Sequence, residues 1–230
     1  AQASRGTLPF GAMVEGSNFR TAVRSSNARA NILAAECIVI FALYAYALRS
    51  CSLWRCFLLH AYGLVYFIRL NYMSRFLLPR ELAVEELTIV ALLWLPSICG
   101  SFAWAARQVG DIGALALCAS LLMYTVGSWL NTESERQRKQ WKARPENKGR
   151  CYCEGLFSLS RNVNYFGDTL LFAGWAAATG KWWNIWVPLV MGASFVGYHI
   201  PDKERYLKQR YPDEWPAYAA RTKAFVPGLL

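Results

Sequence analysis

The chain has 230 residues, of which 55% are hydrophobic and only 17% charged, against about 25% charged in soluble domains. An ordinary soluble domain is excluded. The formal charge of +10 on so apolar a chain points to basic loops at one membrane face, not to nucleic acid. The apolar residues come in long blocks without the alternation of a β-barrel, so the class is all-α: a polytopic helical membrane protein.

Residues 1–29 form a polar N-terminal extension carrying Arg5, Arg20, Arg24 and Arg29 against Glu15. The chain begins at Ala rather than Met, as expected of a processed organellar protein or a trimmed chain. Such a tail is mobile unless a partner holds it. The single membrane domain, 30–230, starts with four apolar blocks at 30–48, 52–73, 87–106 and 112–130. Each approaches the roughly 20 residues that a spanning helix needs. Blocks 165–179 and 182–200, broken by Thr179-Gly180-Lys181, predict a helical hairpin, for about six transmembrane helices in all. With six, the N-terminus, the 132–162 segment and the C-terminus share a side. Residues 132–162 carry eight Lys/Arg against four acids and 201–230 carry six against four, which makes that side cytoplasmic-like. The 74–86 loop runs against the rule, with three acids and two Arg.

Residues 131–150 continue the fourth block as a charged helix that Pro145 and Gly149 end. Residues 202–220 read as an amphipathic tail at the membrane interface, with Tyr206, Leu207, Tyr211, Trp215 and Tyr218 on its apolar face. The seven Cys are expected as free thiols. Cys151-Tyr-Cys153 lacks metal or redox spacing, and no metal site is expected. There is no GxGxxG, Walker A or nucleophile-elbow sequence.

What remains is a polar set at one face: Asn131, Glu135, Arg136, Arg138, Lys139, Lys142, Arg150, Ser160, Arg161, Asn164, Tyr165 and Asp168. Arg and Lys hold phosphates, while Asn and Asp bond hydroxyls or a carboxamide. Asn164 and Asp168 are four apart and share a helical face. The alternative for the charged stretch is a solvated loop touching lipid headgroups. Glu36 and Arg69 lie in the first two blocks, where each charge requires a partner and the two can pair with one another. Tyr66, one turn before Arg69, is either packing or a proton donor beside a carboxylate.

The run GLFSLSRNVNYFGD, the WW-containing hairpin and the final IPDKERYLKQRYPDEWPAYAARTKAFVPGLL resemble the steroid 5-alpha-reductase superfamily, above all its DUF1295 branch. The resemblance covers about residues 131–230. It implies a membrane enzyme of the kind found in the endoplasmic reticulum or in bacterial membranes; this chain is expected in the endoplasmic reticulum or an organellar inner membrane (mitochondrion or plastid). Such an enzyme reduces a C=C bond of a lipid, sterol or enone with NADPH held at the loops. It implies cofactor positions at Asn131, Glu135, Lys142, Arg150, Arg161, Asn164, Tyr165 and Asp168, then Asp202 and Glu204. It also implies Tyr66 as proton donor, with Glu36 as its acid. Where the family has His-Pro, this chain has Asn162-Val163. Two other readings stay open. One is a catalytically silent accessory subunit of a large respiratory or photosynthetic membrane complex, with other subunits as partners. The other is a SAM-dependent methyltransferase of the isoprenylcysteine type, whose tail Glu204-x-x-Leu207 fits. Membrane lipid is a partner in all three, and an apolar small molecule in the enzymes.

Overall fold

The computed structural model describes residues 27–49, 53–78, 80, 82–108, 110 and 112–229. Most of the expected extension, 1–26, lies outside them. Every apolar block folds as helix, and no strand occurs among the described residues. Helix α1 spans Ala28–Leu48; α2 spans Leu53–Tyr72 and runs on through a wide π turn, Met73–Leu77. Helix α3, Val84–Arg107, widens at Ile89–Trp94. Pro96 follows two residues after Trp94, and a proline without N–H strains a regular i−4 ladder, so the wider turn relieves it. Then come α4 (Ala114–Lys142), α5 (Val163–Ala178), α6 (Trp186–Ser194), a second π turn (Phe195–His199) before Pro201, α7 (Ile200–Arg210) and α8 (Trp215–Arg221). Helices α1, α3 and α4 are long and apolar enough to cross a membrane. The hairpin expected at 165–200 forms as α5 and α6, and Gly180 turns between them at φ 75°.

Helices α4 and α5 make the closest contact in the bundle, and glycine is the reason. A Cβ on Gly127 would meet the Leu171 amide nitrogen at 2.4 Å, and one on Gly167 would meet the Asn131 amide nitrogen at 2.6 Å. On Gly174 it would sit 2.5 Å from the amide nitrogen of Tyr124. Small residues thus let two backbones touch, as in other membrane helix pairs. Around this pair an aromatic core forms from α1, α2, α3 and α5. Trp175 is its centre: its ring stacks on Phe172 at 5.9 Å and its Nε1–H bonds the Tyr44 hydroxyl at 3.0 Å. The Tyr44, Tyr62 and Ser120 hydroxyls in the core are paired, as an apolar surrounding demands. Tyr62 bonds Ser120 at 3.0 Å, and Ser120 donates to the Gly174 carbonyl at 2.8 Å. Arg55, fully buried, donates to the carbonyls of Ala106 and Gly110 and so closes the C-terminal end of α3, where a cation is favoured. The six described cysteines are free thiols.

The C-terminal tail differs from its expected placement. Trp215 and Tyr218 are buried against Cys151, with Leu207 and Tyr211 packed on them. The apolar face of the tail covers the protein rather than lying open on a membrane, because the 151–160 connection offers it an apolar bed.

Candidate functional site

At the end of the bundle where α4 outruns the apolar core, a cavity of about 510 Å³ lies between α2, α4, α5 and the C-terminal tail. Helix α4 supplies Asn131, Glu135, Arg138 and Lys142, spaced by four, three and four residues and therefore one stripe. Helix α5 supplies Asn164, Tyr165 and Asp168. The glycine contact below brings these two stripes within bonding reach. Asn131 Nδ2 donates to the Asn164 carbonyl, and Asn164 Nδ2 donates to Glu135 Oε1, both at 3.0 Å. Arg138 Nε holds the other Glu135 oxygen at 2.8 Å. The remaining acceptor of Asn164, Oδ1, is buried without a partner. A buried orphan acceptor on a cavity wall suits a ligand N–H or O–H.

Arg69 at the end of α2 enters this network from below. It donates to Asn131 Oδ1 at 2.6 Å and Thr132 Oγ1 at 2.7 Å, and its Nη2 lies 3.9 Å from Asp168. The expected pairing with Glu36 does not form. Glu36 sits on α1 with Oε2 buried and unpartnered, because α2 points its charge towards α4 and α5. Tyr66 is nine-tenths buried, edge-on to Phe172 at 5.1 Å and beside Trp175 at 5.6 Å. It stands one turn before Arg69 on α2, and neither it nor Glu36 is among the residues lining the cavity.

Of the expected cofactor residues, Asn131, Glu135, Lys142, Arg161, Asn164, Tyr165 and Asp168 line the cavity. Arg150 points away and faces Glu214 at 3.4 Å. Glu204 stands behind the wall, bonded to Arg161 at 2.8 Å. Asp202 lies near Arg205 at 3.9 Å, off the cavity. The sequence reading missed Arg80, Glu86 and Lys203, which also line it, as do Tyr206, Tyr211 and Tyr218. Tyr206, Tyr211 and Tyr218 had a signal in the tail's apolar face, assigned to the membrane. Among the charged lining residues, Arg80, Arg138, Lys142, Arg161 and Lys203 face Glu86, Glu135 and Asp168, an excess of cation. Lys142 Nζ donates to the Tyr211 hydroxyl at 3.0 Å and to the Arg150 carbonyl, both neutral oxygens. Lys203 Nζ lies 5.1 Å over the Tyr165 ring and 5.3 Å over Phe157. Leu70, Met73, Leu77, Leu78 and Leu82 make the opposite wall apolar. Burial pushes the Cys151 thiol on the rim up to about 11, so it is not a nucleophile at neutral pH. A shallower depression of about 310 Å³ beside Trp141 and Arg144 contains none of this network.

Residues 80–222, more than half of the chain, match the family described as protein of unknown function, DUF1295. The chain belongs to the DUF1295 family. Two curated relatives are similar to this DUF1295 chain. The probable O-methyltransferase ustE of Ustilaginoidea virens is 30% identical over 116 residues, 49% of this chain and 41% of the relative. Steroid 5-alpha-reductase DET2 of Gossypium hirsutum is 28% identical over 98 residues, 43% of this chain and 38% of the relative. The chain thus spans about two fifths of the length of either relative. As a DUF1295 protein with three helices, among the described residues, long and apolar enough to cross a bilayer, it is a steroid-reductase-like membrane protein.

Proposed function

We propose that the cavity binds NADPH and that the protein reduces a C=C bond in a lipid, sterol or enone within the membrane. The observation that carries this reading is the excess of cation over carboxylate on the polar wall, with Lys142 bonded only to neutral oxygens. A phosphorylated dinucleotide matches that wall. Arg138, Lys142 and Lys203 would hold its phosphates. Asp168 and Glu135 would accept hydrogen bonds from its hydroxyls, and Asn164 Oδ1 would accept from the carboxamide. NADPH, when bound, would supply the hydride for the electron-poor carbon of the C=C bond, and the other carbon would take a proton. Tyr66, one turn before Arg69 on α2 and not among the residues lining the cavity, would hold that proton at its hydroxyl, and Glu36 on α1 would be its acid partner. The leucine wall receives the apolar substrate and excludes water. In this reading one domain, 30–230, crosses the membrane six times, in the endoplasmic reticulum or an organellar inner membrane, with the cavity on the side of its basic loops.

A second reading, methyl transfer from SAM, is favoured by the O-methyltransferase relative. SAM carries a sulfonium cation and no phosphate, so an excess of cation suits it less. The third, a silent accessory subunit, places neighbouring subunits against the exposed apolar helix faces. The test is single-turnover oxidation of NADPH at 340 nm with a panel of enones and sterols in nanodiscs. Oxidation with wild type, lost in Tyr66→Phe while NADPH still binds, supports reduction. Methylation of an isoprenylcysteine substrate without NADPH oxidation would replace it.

A further inference from the structure

The three residues just before α5 are bonded to the C-terminal tail in a manner that cofactor contact does not explain. Four consecutive tail carbonyls each accept a bond from them. Thr222 and Lys223 accept from Arg161, through Nη1 and through its backbone N–H at 2.8 Å. Ala224 accepts from Asn162 Nδ2 at 2.7 Å, and Phe225 accepts from Ser160 Oγ at 2.7 Å. Arg161 further holds the Ala219 carbonyl at 2.9 Å and Glu204 at 2.8 Å. Its Nε and Nη1 are thereby committed to the tail. Asn162 is 1% exposed and stands at the N-terminal boundary of α5, yet its side chain does not cap its own helix. Its carbonyl instead starts the helix, accepting from the Tyr165 and Phe166 amides at 3.0 and 3.1 Å. One residue thus joins the wall that carries Asn164 and Asp168 to the wall that carries Tyr206, Tyr211 and Tyr218.

We propose that Ser160-Arg161-Asn162 is a latch holding residues 200–225 as a strap across the cavity, and that these three are positioning residues. Arg161 then acts on a ligand through the strap. Asn162, in the place of the family's His, keeps the latch by donating to a backbone carbonyl. The proposal rests on the cavity being a ligand site, but the latch is testable apart from it. The experiment is amide hydrogen exchange over 200–225 on the full chain in nanodiscs, with tryptic cleavage after the exposed Arg210 as a second readout. Asn162→Ala should speed exchange of the strap about fivefold, and Arg161→Ala about thirtyfold, from one and several lost hydrogen bonds. A chain ending at Lys223 lacks the carbonyls of Ala224 and Phe225; adding Asn162→Ala to it should change nothing further. NADPH release should quicken by the same factors. Exchange unchanged within about twofold in both variants, or a full Asn162→Ala effect in the shortened chain, overturns the latch. If wild type fails to bind NADPH, the cofactor reading falls while the exchange result still decides the strap.

Discussion

Substituting Gly167 by Ala places a methyl group where α4 has backbone. The new Cβ would stand 2.6 Å from the Asn131 amide nitrogen and 2.7 Å from the Gly127 carbonyl oxygen, and neither can rotate away. Reaching ordinary contact at 3.4 Å needs the helices to part by about 0.8 Å there. The bonds from Asn131 to the Asn164 carbonyl and from Asn164 to Glu135, both 3.0 Å, would stretch beyond bonding distance. Overpacking costs about 1–3 kcal/mol and two buried hydrogen bonds about 2 more, so we expect a loss of about 3–5 kcal/mol. Unfolding in mixed micelles measures it. Gly100→Ala is the control, since nothing lies within 4 Å of its added Cβ. If Gly167→Ala unfolds within about 1 kcal/mol of Gly100→Ala, the backbone contact does not build the site.

Three further outcomes follow from named contacts. Arg69→Ala strands Asp168 and two bonded partners in a partly buried network, so unfolding should show a loss of about 3 kcal/mol, with Arg69→Lys in between. Asn164→Ala removes one bond to Glu135 and should cost only about 1 kcal/mol of stability, while NADPH affinity falls about tenfold or more. Cys151 holds its proton more tightly folded than unfolded. Its contribution is therefore intact below pH 9 and lost as pH rises from 9.0 to about 11; a pH series of unfolding midpoints should flatten over that window in Cys151→Ala.

Helical spacing made the site's two long stripes legible. Asn131, Glu135 and Lys142, and Asn164 with Asp168, are placed by spacing alone once the helices are assigned. The α5–α6 hairpin was likewise plain from Thr179-Gly180-Lys181. Spacing does not reveal which helices meet. Arg69 and Glu36 looked like partners because both are intramembrane charges; the rotation of α2, set by the Tyr62, Tyr66 and Phe67 packing, sends Arg69 to residues over sixty positions away. Gly127, Gly167 and Gly174 make the close helix contact, but they are not spaced four apart, and no single glycine announces its partner. The tail's aromatic face was read correctly as apolar and wrongly as membrane-facing, because periodicity cannot distinguish lipid from a protein bed. Lys203 and Arg80 were invisible because their place on the cavity wall depends on how segments distant in the chain meet.

The most direct test of the account is titration of the purified chain in nanodiscs with NADPH and, separately, SAM, followed by quenching of its ten tryptophans. NADPH should quench saturably, more weakly in Asn164→Ala and Lys142→Ala, and SAM should not quench. Saturation by SAM alone, or by neither, would contradict it.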